Sequence, residues 1–534
     1  MSVRAGLTGT AALVRLGLRR DRILGPVWVV VFVLMAASSA GATKGVYPDL
    51  ASRVSAAAAV NKTAATRALY GPIWDVNSLA QLSLFKFNAL GAALVAVLSL
   101  ILVTRHTRGE EEEGRLELLG AGVVGRYASL GAALVLTWVT VATLAVLTWL
   151  ALVAAGLPAG GSLVFALTWL MSGTVFAGVA AVTAQLTSAA RAANGLAAAV
   201  LGLAYLLRAV GDASGTGGPH WLSWLSPVGW AQQVKAYSDN RWPVLLIGFA
   251  VAGLLVVAAF ALVARRDLGA GLFADRAGRP RATARLAGPF ALALRLQRGV
   301  LLAWTAAFVV LGLVMGSLAS SAGDFLDSQA ARDMIRKLGG QQVLTDAFFS
   351  TEFGVIAIVT SVFVVQSVLR LRSEEAGRRA EPLLATAITR PRWLTSHGGV
   401  AALGAVWLLL VAGFVGGSSY AVAVGDGGQV LRLTGAALVQ LPAVLVLGGF
   451  TLAAYGFSPR LAVAGWAALV LFLLLGELGP LFDVDPRVMD LSPYTHVPRL
   501  PGGAFSAAPL VWLVLVAAAL IATGYAAFRR RDLA

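Results

Sequence analysis

The most regular feature of the sequence is a series of long apolar stretches separated by shorter polar segments. Twelve stretches approach or exceed the roughly 20 residues that a helix needs to cross the hydrocarbon core of a bilayer. They lie near residues 23–42, 87–104, 129–155, 162–184, 195–210, 244–264, 300–320, 354–369, 399–424, 435–456, 461–479 and 508–528. The pattern predicts an all-α membrane protein with about 12 transmembrane helices.

The composition supports a membrane-embedded chain. Hydrophobic residues make up 58% of the sequence and charged residues 13%, whereas a soluble domain usually has about 25% charged residues. Cysteine is absent, so disulfides and thiolate ligands are excluded. The four histidines are far apart in the sequence, and no metal site is expected from them.

The charges are unevenly distributed between the two sides of the predicted bundle. The side with both termini comprises segments 1–22, 105–126, 185–194, 265–298, 370–397, 457–460 and 529–534. It carries 28 of the 42 basic residues and 12 of the 26 acidic ones. By the positive-inside rule this side is cytoplasmic. No polar segment is long enough to form a basic soluble domain, so nucleic acid is not an expected partner.

Two charged loops repeat at a shift of 264 residues without a gap. Each contains an acidic pair, then Arg, Glu and a further Arg. The matching residues of the first loop are Arg108, Glu110, Glu111, Arg115, Glu117 and Arg126. Those of the second are Arg372, Glu374, Glu375, Arg379, Glu381 and Arg390. The four-residue spacing predicts that Glu111 pairs with Arg115, and Glu375 with Arg379, along one helical face.

Two further motifs recur in the same order at nearly the same shift. Leu-Ser-Pro occurs at 225–227 and 491–493, and Arg-Arg-Asp-Leu at 265–268 and 530–533. The chain is therefore predicted to consist of two tandem six-helix repeats. An even number of spans in each makes the repeats parallel, so a pseudo-twofold axis along the membrane normal is expected.

The predicted domains follow from this duplication. Residues 1–264 form the first half, with an interfacial helix over 1–22 and a cytoplasmic loop over 105–126. Residues 265–298 form a cytoplasmic linker and a second interfacial helix, and 299–534 the second half with a loop over 370–397. Each loop is interpreted either as a solvated segment whose charges keep it out of lipid, or as a helix that docks onto a partner.

No energy-converting motif is present in the chain. A phosphate-binding loop requires Gly-x-x-x-x-Gly-Lys-Ser/Thr. Among the five lysines only Lys62 precedes a Ser or Thr, and Asn61 stands where the Gly is required. The chain also lacks clustered catalytic groups, so no enzymatic activity and no bound cofactor are expected. Energy for transport must come from another polypeptide or from an ion gradient.

The paired loops, the Leu-Ser-Pro motifs and the basic N-terminal segment resemble an ATP-binding-cassette exporter permease of the type-2 class. The similarity covers the whole chain and is greatest to fused twelve-span actinobacterial permeases that export polyketide antibiotics and other drugs. It implies a multi-pass protein of a bacterial plasma membrane with both termini in the cytoplasm. Its partners would be a cytoplasmic ATP-binding-cassette ATPase in two copies, which binds ATP-Mg, and a small amphipathic substrate.

The resemblance also implies roles for particular segments. The two charged loops would be coupling helices seated in the ATPase subunits, and the interfacial helix of the second half would lie near 284–298. The second and fifth spans of each half would face the central path. If an ion gradient drives transport instead, the chain would be a drug antiporter, which needs titratable acids within spans. Glu477 is the one candidate.

Several residues near span ends are candidates for the path or its gates. Phe87 and Asn88 begin the second span, Phe353 begins its counterpart, and Glu477 lies near the end of the span 461–479. These aromatic residues are interpreted as an interfacial belt or as a hydrophobic gate. Arg208 and Asp212, four residues apart, are interpreted as a structural ion pair or as an outer gate.

Overall fold

The fold of each half is set by long apolar helices that pack through small residues. The computed structural model describes residues 6–62, 64–120, 122–214, 218–267, 269–273, 286, 288–321, 341–478 and 485–532. These residues form helices and no strand. The chain divides into two units, Met1–Gly278 and Arg279–Ala534. The division lies within the segment 265–298, whose role as a linker stays a prediction.

The first unit begins with a short amphipathic helix, followed by the first long apolar one. Its helices are α1 Thr10–Arg20, α2 Leu24–Val46, α3 Leu50–Lys62, α4 Ala64–Tyr70, α5 Leu79–His106, α6 Arg108–Glu112, α7 Arg115–Gly120, α8 Ala128–Ala154, α9 Ala159–Leu186, α10 Ala190–Ala213, α11 Pro227–Gln233 and α12 Trp242–Val263. Six of its segments are long and apolar enough to cross a membrane: Leu24–Val46, Leu79–Glu112, Ala128–Ala154, Ala159–Leu186, Ala190–Ala213 and Trp242–Val263.

The second unit repeats most of this order. Its helices are α13 Pro289–Ser321, α14 Gln341–Ala376, α15 Ala380–Leu384, α16 Arg390–Val424, α17 Gly428–Leu438, α18 Leu441–Phe457, α19 Ala464–Leu478, α20 Pro486–Met489 and α21 Ala507–Arg530. Five of its segments have the length and hydropathy of spans: Pro289–Ala319, Thr345–Ala376, Arg390–Val424, Gly428–Phe457 and Ala507–Arg530.

The described residues thus contain 11 membrane-spanning candidates, and the prediction of an all-α membrane protein with about 12 spans is confirmed. The predicted span 461–479 differs from the others. It consists of a 3₁₀ turn, Leu461–Val463, and the 15-residue helix α19. At 1.5 Å per residue α19 is about 22 Å long, which is shorter than a bilayer core of about 30 Å.

The start of each half also differs. In the first half α1 is a separate helix, which ends at the buried carboxylate of Asp21. His106 Nε2 lies 2.5 Å from Asp21 Oδ2, which ties this break to the end of α5. In the second half residues 289–298 are the first turns of the continuous helix α13. The predicted second interfacial helix is therefore not a separate element there, and residues 284, 285 and 287 lie outside the described residues.

The core of the first unit surrounds α9. Its Trp169 side chain is fully buried and donates a hydrogen bond from Nε1 to the Phe87 carbonyl, 3.1 Å away. A Cβ at Gly91 would lie 2.7 Å from the same indole ring. Glycine is therefore required at this crossing of α5 and α9, as is common where membrane helices approach closely.

In the second unit glycines likewise allow a close helix crossing, between α18 and α21. A Cβ at Gly456 would lie 2.3 Å from the carbonyl oxygen of Gly524, and a Cβ at Gly524 would lie 2.9 Å from that of Leu452. Backbone atoms have no rotamer with which to avoid such a clash. The two helices can keep this separation only while both positions lack a side chain.

We expect Gly456→Ala to destabilise the second half by about 1–3 kcal/mol, because the added methyl group forces α18 and α21 apart. The matched control is Gly435→Ala in α17, where a Cβ meets nothing within 4 Å. Alanine favours a helix more than glycine does, so this control should be neutral or slightly stabilising. Thermal unfolding of the two purified variants makes the comparison, and equal midpoints would contradict the packing argument.

Candidate coupling site

Both repeated loops are helices broken at the same position. In the first half the break follows α6 at Gly114, which has a φ of 69°, and α7 begins at Arg115. In the second half α14 ends at Ala376, Arg378 has a φ of 53°, and α15 follows. Gly114 and Arg378 are equivalent at the repeat shift of 264. The predicted loop 370–397 is correspondingly shorter, because 390–397 form the first turns of α16.

This break changes which charges pair. The predicted pairs of Glu111 with Arg115 and of Glu375 with Arg379 are wrong. Arg115 Nε instead donates to Glu110 Oε2 at 2.7 Å, and Arg379 Nε lies 3.3 Å from Glu374 Oε2. A four-residue spacing pairs side chains only along an unbroken helix. The left-handed turn between acid and base rotates Arg115 and Arg379 towards the earlier acid.

Glu110 and Glu374 each have a second guanidinium partner outside the repeated part of the loop. Arg20, the last residue of α1, donates to Glu110. Arg370 lies one turn before Glu374, with its Nη2 2.5 Å from Oε1. Both carboxylates are therefore shared between two bases, one of them from the loop. The other base differs between the halves, since Arg20 belongs to the separate helix α1 and Arg370 to the same helix as Glu374.

The second acid of each loop contacts the end of the sixth span of its own half. Arg266 Nη2 lies 2.5 Å from Glu111 Oε1, with side chains only 8% and 7% exposed. Arg531 Nη2 lies 2.8 Å from Glu375 Oε2, with side chains 13% and 5% exposed. Both arginines belong to the repeated Arg-Arg-Asp-Leu motif. The structure thus joins two repeated motifs that lie about 155 residues apart in the chain.

The last arginine of each loop completes the same arrangement. Arg126 Nη2 donates to the carbonyl of Arg266 at 2.8 Å, and Arg390 Nη1 donates to the carbonyl of Arg531 at 2.8 Å. We call these contacts the clasp. It consists of Glu111, Arg126 and Arg266 in the first half, and of Glu375, Arg390 and Arg531 in the second.

The two clasps differ in the additional partner of the loop carboxylate. In the first half Arg108 is fully buried. It donates to Glu111 Oε2 at 2.6 Å and to the Ala270 carbonyl at 2.8 Å. Its equivalent Arg372 is half-buried and makes no ion pair within the described part of the chain. There the Tyr455 hydroxyl donates to Glu375 Oε2 at 2.5 Å instead. A phenol thus replaces the second guanidinium.

Exposure separates six of the predicted coupling residues into two groups. Arg108, Glu111, Glu374 and Glu375 have buried side chains and hold the loop to its own bundle. Glu117 and Glu381 are exposed, lie in the first turns of α7 and α15, and make no ion pair with a described residue. They are thus equivalent exposed acids, whereas the equivalent exposed bases Arg115 and Arg379 are paired with Glu110 and Glu374.

Sequence reasoning did not place Arg266 and Arg531 at this site. The repeat of Arg-Arg-Asp-Leu at the same shift as the loops was the available signal. Two motifs that are both duplicated at the same shift are good candidates for contact. If a residue of one motif pairs with a residue of the other, both must be present in each half for the pair to form. The sequence alone does not specify which of Arg265 and Arg266 turns inward.

Arg208 and Asp212 form the predicted pair at the outer end of α10. Arg208 Nη1 lies 3.1 Å from Asp212 Oδ2, and the side chains are 0% and 4% exposed. Ser223 Oγ donates to Asp212 Oδ1 at 2.7 Å, and Arg208 Nη2 donates to the Leu69 carbonyl at 3.1 Å. The pair therefore holds α4 and the turn His220–Leu225 against α10. These contacts favour the structural interpretation.

The remaining path candidates have packing or hydrogen-bonding surroundings. Phe353 is fully buried and stacks on Phe349 with ring centroids 5.9 Å apart, so it does not face lipid as an interfacial belt requires. Asn88 Nδ2 donates to Gln232 Oε1 at 2.9 Å, and the half-buried Phe87 packs beside Trp169 in the core of the first unit. Glu477 lies in α19, and its side chain is outside the described residues.

We expect Arg266→Ala to lower the free energy of unfolding by about 3 kcal/mol, because it leaves the Glu111 carboxylate buried with one partner fewer. Arg531→Ala should behave alike through Glu375. The matched controls are Arg265→Ala and Arg530→Ala, which remove exposed neighbouring charges. Denaturation of the purified chains measures the difference. A loss no larger than that of the controls would show that the clasp does not hold the loop.

We expect Asp212→Asn to lower stability by about 3 kcal/mol, since Arg208 would stay buried without a counter-charge. The double variant Arg208→Met/Asp212→Leu should recover part of that loss, because neither charge then remains buried. Thermal unfolding is the measurement. Full stability of Asp212→Asn together with altered transport would instead support a gate.

The chain matches known proteins over nearly its whole length. A family model described as the C-terminal domain of the multidrug efflux system permease Rv1217c matches residues 11–263 and 286–529. The multidrug efflux system permease protein Rv1217c of Mycobacterium tuberculosis (strain ATCC 25618 / H37Rv) is 44% identical over 532 residues. The match covers 99% of this chain and 96% of that protein. The chain therefore belongs to the family of the multidrug efflux system permease Rv1217c.

Proposed function

We propose that the chain is the membrane permease of an ATP-binding-cassette exporter, which moves amphipathic or hydrophobic compounds out of a bacterial cell. Two copies of a separate cytoplasmic ATPase subunit would supply the energy. The family, the membrane-spanning helices and the lack of a phosphate-binding loop in this sequence support this proposal. By the positive-inside rule, the distribution of basic residues supports a cytoplasmic position for both termini.

The observation that carries the proposal is the pair of exposed acids on clasped loops. Glu117 and Glu381 occupy equivalent places on short helices, and each loop is tied to the end of its own sixth span at Glu111 or Glu375. A loop needed only for solubility does not require buried ion pairs to fix its position. Two fixed and equivalent acidic helices suit a partner with two equivalent basic clefts.

The clasp suggests how a conformational change of the ATPase would be transmitted to the membrane-spanning helices. ATP-Mg bound by the partner would supply the free energy for closure. Force on α7 would pass through the short turn at Gly114 to Glu111, and from there through Arg266 to the end of α12. In the second half the same route runs from α15 through Glu375 and Arg531 to α21. Each half would thus move as one body.

We expect the double variant Glu117→Ala/Glu381→Ala to weaken binding of the ATPase at least about tenfold, which corresponds to about 1.4 kcal/mol. Drug-stimulated ATP hydrolysis of the reconstituted complex should fall with it, because exposed acids contribute to the affinity for a basic partner. Thermal stability of the permease alone should not change, since neither side chain is buried.

The matched control is Asp239→Ala/Asp426→Ala, which removes one exposed acid from each half at segments predicted to lie outside the cell. This control should bind the ATPase like the natural chain. Intact binding and transport in Glu117→Ala/Glu381→Ala would contradict the docking proposal. Transport in vesicles that carry a proton gradient and no ATP would instead identify an ion-coupled antiporter.

A further inference from the structure

A cavity of about 710 Å³ lies in the second half, near the end that is predicted to face the outside of the cell. It is bounded by the first turns of α14, by α19 and by the segment 489–503. This segment approaches α14 closely at Gly502, which has a φ of 100° and where a Cβ would lie 2.8 Å from that of Asp346. The volume is typical of sites for drug-sized ligands, which measure about 300–1,000 Å³.

The serine of the repeated Leu-Ser-Pro motif has different contacts in the two halves. In the first half the Ser226 hydroxyl donates to the Ala204 carbonyl of α10 at 2.6 Å and accepts from the Gly229 N–H at 3.0 Å. Its equivalent Ser492 lines the cavity and is 1% exposed, and its hydroxyl has no partner among the described residues. In the second half this serine therefore does not join the motif to the fifth span.

A second difference between the repeats also leaves space at this place. At the shift of 266 that aligns the two Leu-Ser-Pro motifs, Gln232 corresponds to Pro498. Gln232 accepts from Asn88 of the second span at 2.9 Å and donates to the Tyr70 carbonyl at 2.6 Å, and the cavity beside it measures about 20 Å³. Pro498 lines the larger cavity and has no side-chain donor or acceptor. Space thus opens in the second half where hydrogen bonds join the elements of the first.

Most of the cavity wall is apolar. The rings of Phe472 and Tyr494 lie edge to face with their centroids 6.4 Å apart, and Val355 and Ile358 of α14 continue the wall. The Tyr494 hydroxyl shares a hydrogen bond of 2.6 Å with Ser361 Oγ. The ring of Tyr494, rather than its hydroxyl, is therefore the part that a ligand would contact.

The charged residues of the lining are Asp346 and Arg499. Asp346 Oδ2 lies 2.5 Å from Arg432 Nη2, so its charge is balanced within the protein. Arg499 is exposed, so water solvates its charge. The buried part of the wall thus presents no unbalanced charge, and an ion placed there would lose its hydration without gaining a counter-charge. These surroundings favour an uncharged ligand.

One buried polar side chain of the wall lacks a partner. Gln440 lies between α17 and α18, inside the membrane-spanning candidate Gly428–Phe457, and is 5% exposed. Its side-chain amide makes no hydrogen bond with a described residue, although it offers two N–H donors and one acceptor. A buried amide without a partner is destabilising, and polar residues within spans mark substrate pathways. Gln440 is thus the group of this wall that a ligand can satisfy.

We propose that this cavity binds the exported compound, and that the compound is an uncharged amphipathic molecule with an apolar ring system and a carbonyl or hydroxyl group. The Gln440 amide donates a hydrogen bond to that group, and the rings of Phe472 and Tyr494 pack on the apolar part. This inference rests on the proposed export function and narrows its substrate class.

Nile red, an uncharged aromatic dye with a carbonyl acceptor, is a suitable probe because its fluorescence rises in apolar surroundings. The purified full chain in nanodiscs should bind the dye at one saturable site, above the signal of empty nanodiscs. Gln440→Leu should weaken this binding about tenfold through the loss of one buried hydrogen bond. The matched control Gln366→Leu, exposed on α14 and outside the lining, should bind the dye like the natural chain.

A second variant fills the cavity without disturbing the backbone. Gly354 of α14 lines the cavity, and a Cβ there meets nothing within 4 Å. Gly354→Trp should therefore place an indole in the space and abolish saturable binding. Its control is Gly435→Trp in α17, at an equally open position outside the lining, which should leave binding unchanged.

The measurement needs no ATPase, so a failure of this site and a failure of the ATPase docking proposal are separate results. Absence of saturable binding, or binding that Gly354→Trp does not reduce, would overturn the inference and indicate a cavity that holds water only. Equal loss in Gln440→Leu and Gln366→Leu would overturn it as well. Displacement of the dye by a lower concentration of the cation tetraphenylphosphonium would contradict the uncharged class of ligand.

Discussion

In each half the position of the repeated loop depends on an ion pair between a loop carboxylate and an arginine at the end of the sixth span. Charged groups removed from water destabilise a protein unless they are paired and hydrogen-bonded. Glu111 and Glu375 meet this condition only with the loop folded back on the bundle, because their long-range partners, Arg266 for the first and Arg531 with Tyr455 for the second, belong to the bundle helices or directly follow them. The pair therefore fixes where the loop lies, and the adjoining short helix with its exposed acid follows from that position.

Hydropathy predicted most of the fold because lipid leaves few alternatives. A chain that crosses hydrocarbon must satisfy its backbone within helices, so length and apolarity suffice to locate the spans. The exception is 461–479, where the length of the apolar run predicts a full span but the helix α19 has 15 residues. The internal repeat was equally visible in the sequence, as charged residues that recur at a shift of 264. In the structure Arg378 stands at the place of Gly114, and both have a positive φ.

The pairing within the loops could not be predicted from spacing. The four-residue rule assumes a continuous helix, and the turn at Gly114 interrupts it before Arg115. The contact of Glu111 with Arg266 joins residues 155 positions apart, and no local pattern specifies such a contact. The sequence also does not show which loop side chains are exposed. Glu117 and Glu381 are exposed, unlike the buried acids of the same loops, and are therefore the proposed contacts with the ATPase.

The most direct test of the clasp uses the absence of cysteine in the chain, because introduced thiols are then the only ones. Spin labels on Glu117→Cys and Arg265→Cys would report the distance between α7 and the end of α12. The account predicts a narrow distance distribution in the otherwise natural chain and a broad one when Arg266→Ala is added. Equal widths in the two proteins would contradict the claim that this ion pair positions the loop.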